Sequence, residues 1–207
     1  MKRTVAHLAS ALVSLGILTL RLKAAMDSPF LLWYVPNLAS SCAIVAFLLL
    51  SLRNRPLHAD EKPIVFFAAL LSTNFVVLVS LFGELFPIYR TAPLVWLRTA
   101  GKLLNMLSMP FFLWTLFSLG RGFAILPEAH VLRTDGVYRI SRHPLYLTYT
   151  FWCATQNMIY QTWSALAFSL IQAALFRYRA QCEEKVLSEA FPEYADYRKR
   201  VRWLGTR

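Results

Sequence analysis

The chain has 207 residues, 57% hydrophobic and 16% charged, and a mean hydropathy of +0.45 that excludes an ordinary soluble globular domain. Its formal charge of +11 would suit nucleic acid, but the basic residues flank apolar runs and alternate with aromatics such as Tyr138, Tyr178 and Trp203. Anionic lipid headgroups are therefore the expected partner, and nucleic acid is not.

Uncharged runs occupy residues 4–20, 28–52, 64–82, 103–120 and 144–176, and one spanning helix takes about 17 to 25 residues. The first four runs fit one span each. Lys2 and Arg3 before the first run could mark a cleaved leader, but Arg21 and Lys23 stand where a cleavage site prefers small residues, so retention as a span is expected. The fifth run is too long for one helix and is interrupted by Gln156, Asn157, Gln161 and Thr162, which predicts two short helices turning near 157–162. The expected architecture is an all-α, polytopic membrane protein of about six transmembrane helices. It forms one domain over 1–207, with amino-terminal spans over 1–118 and a catalytic region over 119–201. With the amino terminus in the cytosol, 17 of the 22 basic residues fall on the cytosolic side, as the positive-inside rule requires, and the carboxy terminus is cytosolic too.

Before residue 90 nothing names a reaction. Residues 92–102, with Trp96, Arg98 and Lys102, look like an interfacial approach to the fourth span, which ends at Leu119-Gly120-Arg121-Gly122. A polar, turn-rich loop follows to His143, punctuated by Pro127, Asp135 and Gly136. Beyond Arg177, the positions Val186, Leu187, Ala190, Phe191, Tyr194 and Tyr197 recur at helical spacing, predicting an amphipathic tail helix broken near Phe191-Pro192. Cys42, Cys153 and Cys182 show no pairing or metal-type spacing, and His7, His58, His130 and His143 are scattered, so free thiols and no metal are expected.

Chemistry concentrates in residues 136–146, a knot of Arg, His and Tyr at the mouth of an apolar hairpin, where polar groups are costly to place. Pro144 suits the first position of a helix, and it biases His143 toward an extended backbone. The helix amino terminus, with Arg142 and Arg139 beside it, predicts a site for a carboxylate or phosphate. On the tail, Arg179 and Glu183 stand four apart on one face, while Glu184 points about a quarter turn away. Arg179 could hold a substrate carboxylate, and Glu183 a cationic group or a ribose hydroxyl. Taken singly, His143 reads as an interfacial histidine and the glutamate pair as a solvated face. Their joint spacing argues otherwise.

Four blocks in order, His130-Val-Leu-Arg-Thr-Asp-Gly-Val-Tyr138, Arg142-His-Pro-Leu-Tyr146, Arg179-x-x-x-Glu183-Glu184 and Phe191-Pro-Glu-Tyr-Ala-Asp-Tyr-Arg-Lys-Arg-Val201, resemble the isoprenylcysteine carboxyl methyltransferase family over about 119–201. The resemblance implies S-adenosylmethionine in a cytosol-facing pocket closed by the loop and tail, with a lipophilic or prenylated substrate arriving from the bilayer. Cofactor contacts would fall on His130, Val131, Leu132, Arg133, Tyr138, His143, Pro144, Leu145, Tyr146 and Glu183. Arg179 matches the family's substrate-facing arginine, with Arg142 as a second catalytic candidate. Thr148 stands where the family commonly has Gly, and Cys182 and Lys185 thin the acidic cluster, which opens room for a different acceptor. Phospholipid amine methylation and NADPH-dependent reduction, as in membrane sterol reductases, are the alternative activities. A protein that keeps the fold without chemistry is a third. Oligomeric state is not legible.

Overall fold

The computed structural model describes residues 2–26, 35–51, 56–59, 62–65, 67–69, 71–72, 88, 92, 94–124 and 126–203. Helices α1 (Lys2–Met26) and α2 (Val35–Ser51) pack on each other. Residues 63–65, 67–69 and 71–72 are helical. Helix α3 (Val95–Leu119) precedes the loop, α4 (Pro144–Tyr160) and α5 (Trp163–Ala190) form the hairpin, and a short α6 (Tyr194–Arg200) closes the described tail. One small ladder interrupts the helical plan. Strand β1 (His58–Ala59) pairs antiparallel with β2 (Glu128–Ala129), His58 opposite Ala129 and Ala59 opposite Glu128, and ties the amino-terminal half to the loop.

Among the described elements the α3–α4 contact is the most extensive, and it depends on a glycine. A Cβ at buried Gly101 would lie 2.9 Å from the Met158 Cβ and 3.0 Å from the Thr155 carbonyl, so any larger residue would push the helices apart. One turn further along, buried Asn105 donates to Thr155 Oγ1 at 3.1 Å and fixes the register of the pair.

The hairpin turn is built from the polar residues that predicted it. Gln161 takes a left-handed conformation (φ 56°, ψ 32°) at the end of α4, which costs a non-glycine residue about 1 kcal/mol or more. Its side-chain amide offsets this with two bonds to one residue, accepting from Leu94 N and donating to Leu94 O, both at 2.9 Å. The start of α3, which has no side-chain cap of its own, is thereby closed by the far hairpin. Thr162 then caps α5 by accepting from Ala165 N at 3.2 Å.

One expectation needs adjustment. The tail helix is not separate from the sixth predicted span: α5 runs 28 residues through Arg177 and ends at Ala190, at the predicted break. Among the described residues, α3 alone is long and apolar enough by itself to cross a membrane, with shorter apolar stretches at Leu8–Leu20 and Ser41–Leu50. Residues 28–34 and 52 of the second expected span, and most of the third, at 64–82, lie outside the described residues.

The core leads into the loop. Phe112 of α3 meets Tyr149 of α4 edge-on at 5.5 Å. Tyr149 stacks on Phe176 of α5, Phe176 on Tyr146 at 5.0 Å, and Tyr146 on His143 at 5.6 Å. This aromatic file grows more polar toward its end.

Candidate active site

The loop leaves α3 through Gly120, whose φ of 50° favours glycine, and a 3-10 turn at Gly120–Gly122. It returns to α4 through a second turn at Gly136–Arg139, which buries Val137 and Tyr138. Tyr197 of α6 donates to the Tyr138 carbonyl at 2.7 Å, so the tail is bolted to the loop. The last described residues reinforce that bolt. Arg142 N donates to Arg202 O at 3.2 Å, Ser141 Oγ donates to Trp203 O at 2.6 Å, and His143 N donates to Ser141 Oγ at 3.1 Å.

Between loop, α4, α5 and α6 lies one concave pocket. Of the residues expected from the sequence, Val131, Leu132, Arg133, Tyr138, Arg142, His143, Leu145, Tyr146, Arg179 and Glu183 line it. His130 and Pro144 do not. His130 sets Nε2 against Glu128 Oε2 at 2.8 Å, and Pro144 is buried at the first position of α4, where its carbonyl accepts from Thr148 Oγ1 at 2.9 Å. That back-bond turns the Thr148 hydroxyl into its own helix and away from the pocket.

The charged end is a connected network. The Tyr146 hydroxyl donates to Glu183 Oε1. Arg179 places Nη2 3.7 Å from Glu183 Oε1 and its guanidinium 5.3 Å above the Tyr146 ring. His143 faces both carboxylates, Nδ1 at 3.8 Å from Glu183 Oε2 and Nε2 at 3.1 Å from Glu184 Oε1. Arg142 Nη1 also reaches Glu184 Oε1 at 3.1 Å, and Arg198 Nε reaches Oε2 at 3.7 Å. The expected anion site at the helix mouth therefore has a resident anion, Glu184.

Burial alone would raise the Glu184 carboxyl, but the hydrogen bond and electrostatic attraction of His143, together with the Arg142 and Arg198 guanidiniums, outweigh it and hold it below its ordinary range. Three tyrosines move the other way. Burial, helped by the Glu183 charge, holds the Tyr138 hydroxyl well above its usual value, and burial raises Tyr194 likewise and pushes Tyr197 up to about 12. All three stay neutral donors at any working pH.

Sequence reasoning missed several lining residues: Glu128, Phe123, Leu126, Tyr149 and Leu187. Tyr149, three residues past Tyr146 on the same helix face, could have been found from spacing. Tyr194 and Tyr197, read only as the apolar stripe of the tail, also line the pocket.

Comparison with known proteins bears on this segment. Residues 102–189, from within α3 nearly to the end of α5, match the model of the isoprenylcysteine carboxyl methyltransferase (ICMT) family. Protein-S-isoprenylcysteine O-methyltransferase B of Arabidopsis thaliana is 33% identical over 113 residues, 51% of this chain and 57% of the relative. The protein-S-isoprenylcysteine O-methyltransferase of Rattus norvegicus is 32% identical over 115 residues, 52% of this chain and 40% of the relative. That of Schizosaccharomyces pombe is 39% identical over 74 residues, 35% of this chain and 31% of the relative. The chain spans about half the length of these relatives or less. Over residues 102–189, which supply most of the pocket, the chain is similar to the isoprenylcysteine carboxyl methyltransferase family.

Proposed function

We propose that this protein is a membrane methyltransferase that uses S-adenosylmethionine to methylate a carboxylate on a lipophilic, isoprenylcysteine-like acceptor. The observation that carries the reading is the Arg179–Tyr146–Glu183 cluster: a buried arginine lies over an aromatic face, its companion carboxylate held by the tyrosine hydroxyl and 3.7 Å away. The arginine charge is thus close to, but not tightly consumed by, Glu183.

The pocket suits the cofactor. Its walls are apolar at Leu119, Phe123, Leu126 and Val131, and its charged end offers Glu183 and His143. Buried Arg133 Nε, on the pocket lining, has no hydrogen-bond partner among the described residues, so a polar ligand group has somewhere to dock. Bound there, S-adenosylmethionine would supply an electrophilic methyl on a cationic sulfonium. A carboxylate nucleophile needs no base. The protein's work is to bring the acceptor into line and to keep water out. Arg179 would orient the acceptor carboxylate, Glu183 and His143 would hold the cofactor's polar ends, and Val131, Leu132, Arg133, Tyr138, Leu145 and Tyr146 would frame it. Arg142, already beside Glu184, would serve less as an acceptor contact than as the brace that fixes Glu184 and His143. We further infer a multi-pass protein of about six spans, with both termini and the pocket cytosolic, taking its acceptor from the bilayer.

Two measurements test this. Calorimetry on purified protein should show S-adenosylhomocysteine binding and no NADPH binding; the reverse would replace the methyltransferase with a reductase. Labelled methyl from S-adenosylmethionine should pass to N-acetyl-S-farnesylcysteine, and label found instead in phospholipid amines would change the acceptor class.

A further inference from the structure

We infer that Ser72, outside the family-matched residues 102–189, is a positioning residue that aims Arg179 at the acceptor, so that acceptor binding is tuned from the amino-terminal half of the chain. The inference rests on the methyltransferase reading above. Arg179 and Gln172 stand two turns apart on α5, both buried, and both reach the same residue. Gln172 Nε2 donates to the Ser72 carbonyl at 2.9 Å, and Arg179 Nη1 donates to Ser72 Oγ at 3.1 Å. The Ser72 hydroxyl spends its own proton on the Ala69 carbonyl at 3.1 Å. Its lone pairs are thereby turned toward the guanidinium, which can only donate.

The geometry assigns different tasks to the guanidinium's two ends. Nη1 is held by Ser72 at 3.1 Å, while Nη2 stands 3.7 Å from Glu183 Oε1 and the plane covers Tyr146. The Ser72 bond pulls away from Glu183 and keeps that contact long. Without the hydroxyl, Arg179 would be free to close on Glu183 as a tight ion pair, and a closed pair would offer less positive charge to an incoming carboxylate. Ser72 is itself buried, with 1% of its surface exposed, so water cannot stand in for the lost oxygen at no cost.

The test is steady-state methyl transfer from S-adenosylmethionine to N-acetyl-S-farnesylcysteine, alongside S-adenosylhomocysteine binding, for wild type, Ser72→Ala and Ser72→Thr. A hydrogen bond to a charged group is worth enough that Ser72→Ala should lose roughly tenfold in acceptor kcat/KM, chiefly through KM. Its S-adenosylhomocysteine affinity should stay within about twofold of wild type, and Ser72→Thr, which keeps the hydroxyl, should recover most of the acceptor affinity. Equal kinetics in wild type and Ser72→Ala would overturn the inference alone. So would parallel losses of cofactor binding, activity and thermal stability that Ser72→Thr does not rescue, since these mark a packing role. A wild-type protein that neither binds S-adenosylhomocysteine nor methylates the probe would overturn the methyltransferase reading, and the inference with it.

Discussion

The two ends of α4 handle polar groups in opposite ways. At its carboxy-terminal end, Gln161 closes on Leu94 with two bonds of 2.9 Å, and Asn105 on Thr155 with one of 3.1 Å; all are neutral and matched donor to acceptor. At its amino-terminal end, Arg142 and His143 close on Glu184 at 3.1 Å each, but the remaining charges gather at looser separations: 3.7 Å from Arg179 to Glu183, 3.8 Å from His143 to Glu183, 3.7 Å from Arg198 to Glu184. Short neutral pairs specify one arrangement of helices and leave nothing for a ligand. A cluster of charges held a little apart, on a frame that cannot collapse, retains capacity to bind.

That contrast can be broken most directly at Glu183. Glu183→Ala removes the carboxylate that meets Tyr146, Arg179 and His143, and it should weaken S-adenosylhomocysteine binding about 100-fold, as expected from losing one or two charge-assisted hydrogen bonds. The helical circular dichroism should not change. A variant that still binds with wild-type affinity would move the cofactor out of this pocket.

The opposite disruption belongs at the other end. Gly101→Val places carbon atoms within 2.9 Å of Met158 and 3.0 Å of the Thr155 carbonyl, so α3 and α4 must separate. A loss of about 2 kcal/mol in stability is expected, measurable as a fall in melting temperature, with cofactor affinity in the surviving folded protein nearly unchanged. If Gly101→Val and Glu183→Ala gave the same mixture of instability and lost binding, the division between the two ends of α4 would be false.

The same division governs what the sequence revealed. The hairpin was legible because Gln156, Asn157, Gln161 and Thr162 break an apolar run where a turn must lie, and polar residues there have few other uses. The pocket was legible through Arg142, His143, Tyr146, Arg179 and Glu183, whose spacing on two helices declares two faces. The partners of Glu184 were not legible because i,i+4 logic considers only its own helix, whereas Arg142, His143 and Arg198 reach it from other segments. The Glu128–His130 pair and Ser72 carry no periodic signal at all. They depend on the β1–β2 ladder and on contacts spanning about a hundred residues, which local patterns do not encode.

A finer test asks how the tail is held against the loop. Tyr197→Phe deletes the hydroxyl that donates to the Tyr138 carbonyl at 2.7 Å and nothing else. It should cost about 1 kcal/mol and raise amide exchange in residues 194–203 while leaving α3 and α4 protected. Exchange rising equally throughout would mean the tail and the hairpin form one cooperative unit.

The smallest effect is expected at Glu184, where the sign is informative. Its folded carboxyl lies below the ordinary value of 4.5, held there by His143, Arg142 and Arg198 against the opposing pull of burial. A depressed value means the ionised form stabilises the fold. That contribution is complete above the ordinary carboxylate range and is lost as pH falls through the lower folded value. Glu184→Gln should therefore melt below wild type at neutral pH, and the two curves should converge only in acid, beneath the pH where free carboxylates titrate. Trp203 sits 6.1 Å from the His143 ring, so its fluorescence should follow the same acid transition in wild type and lose it in the variant. Convergence above that range would mean that burial outweighs these three partners, and the charged end of α4 would then be strained, not poised.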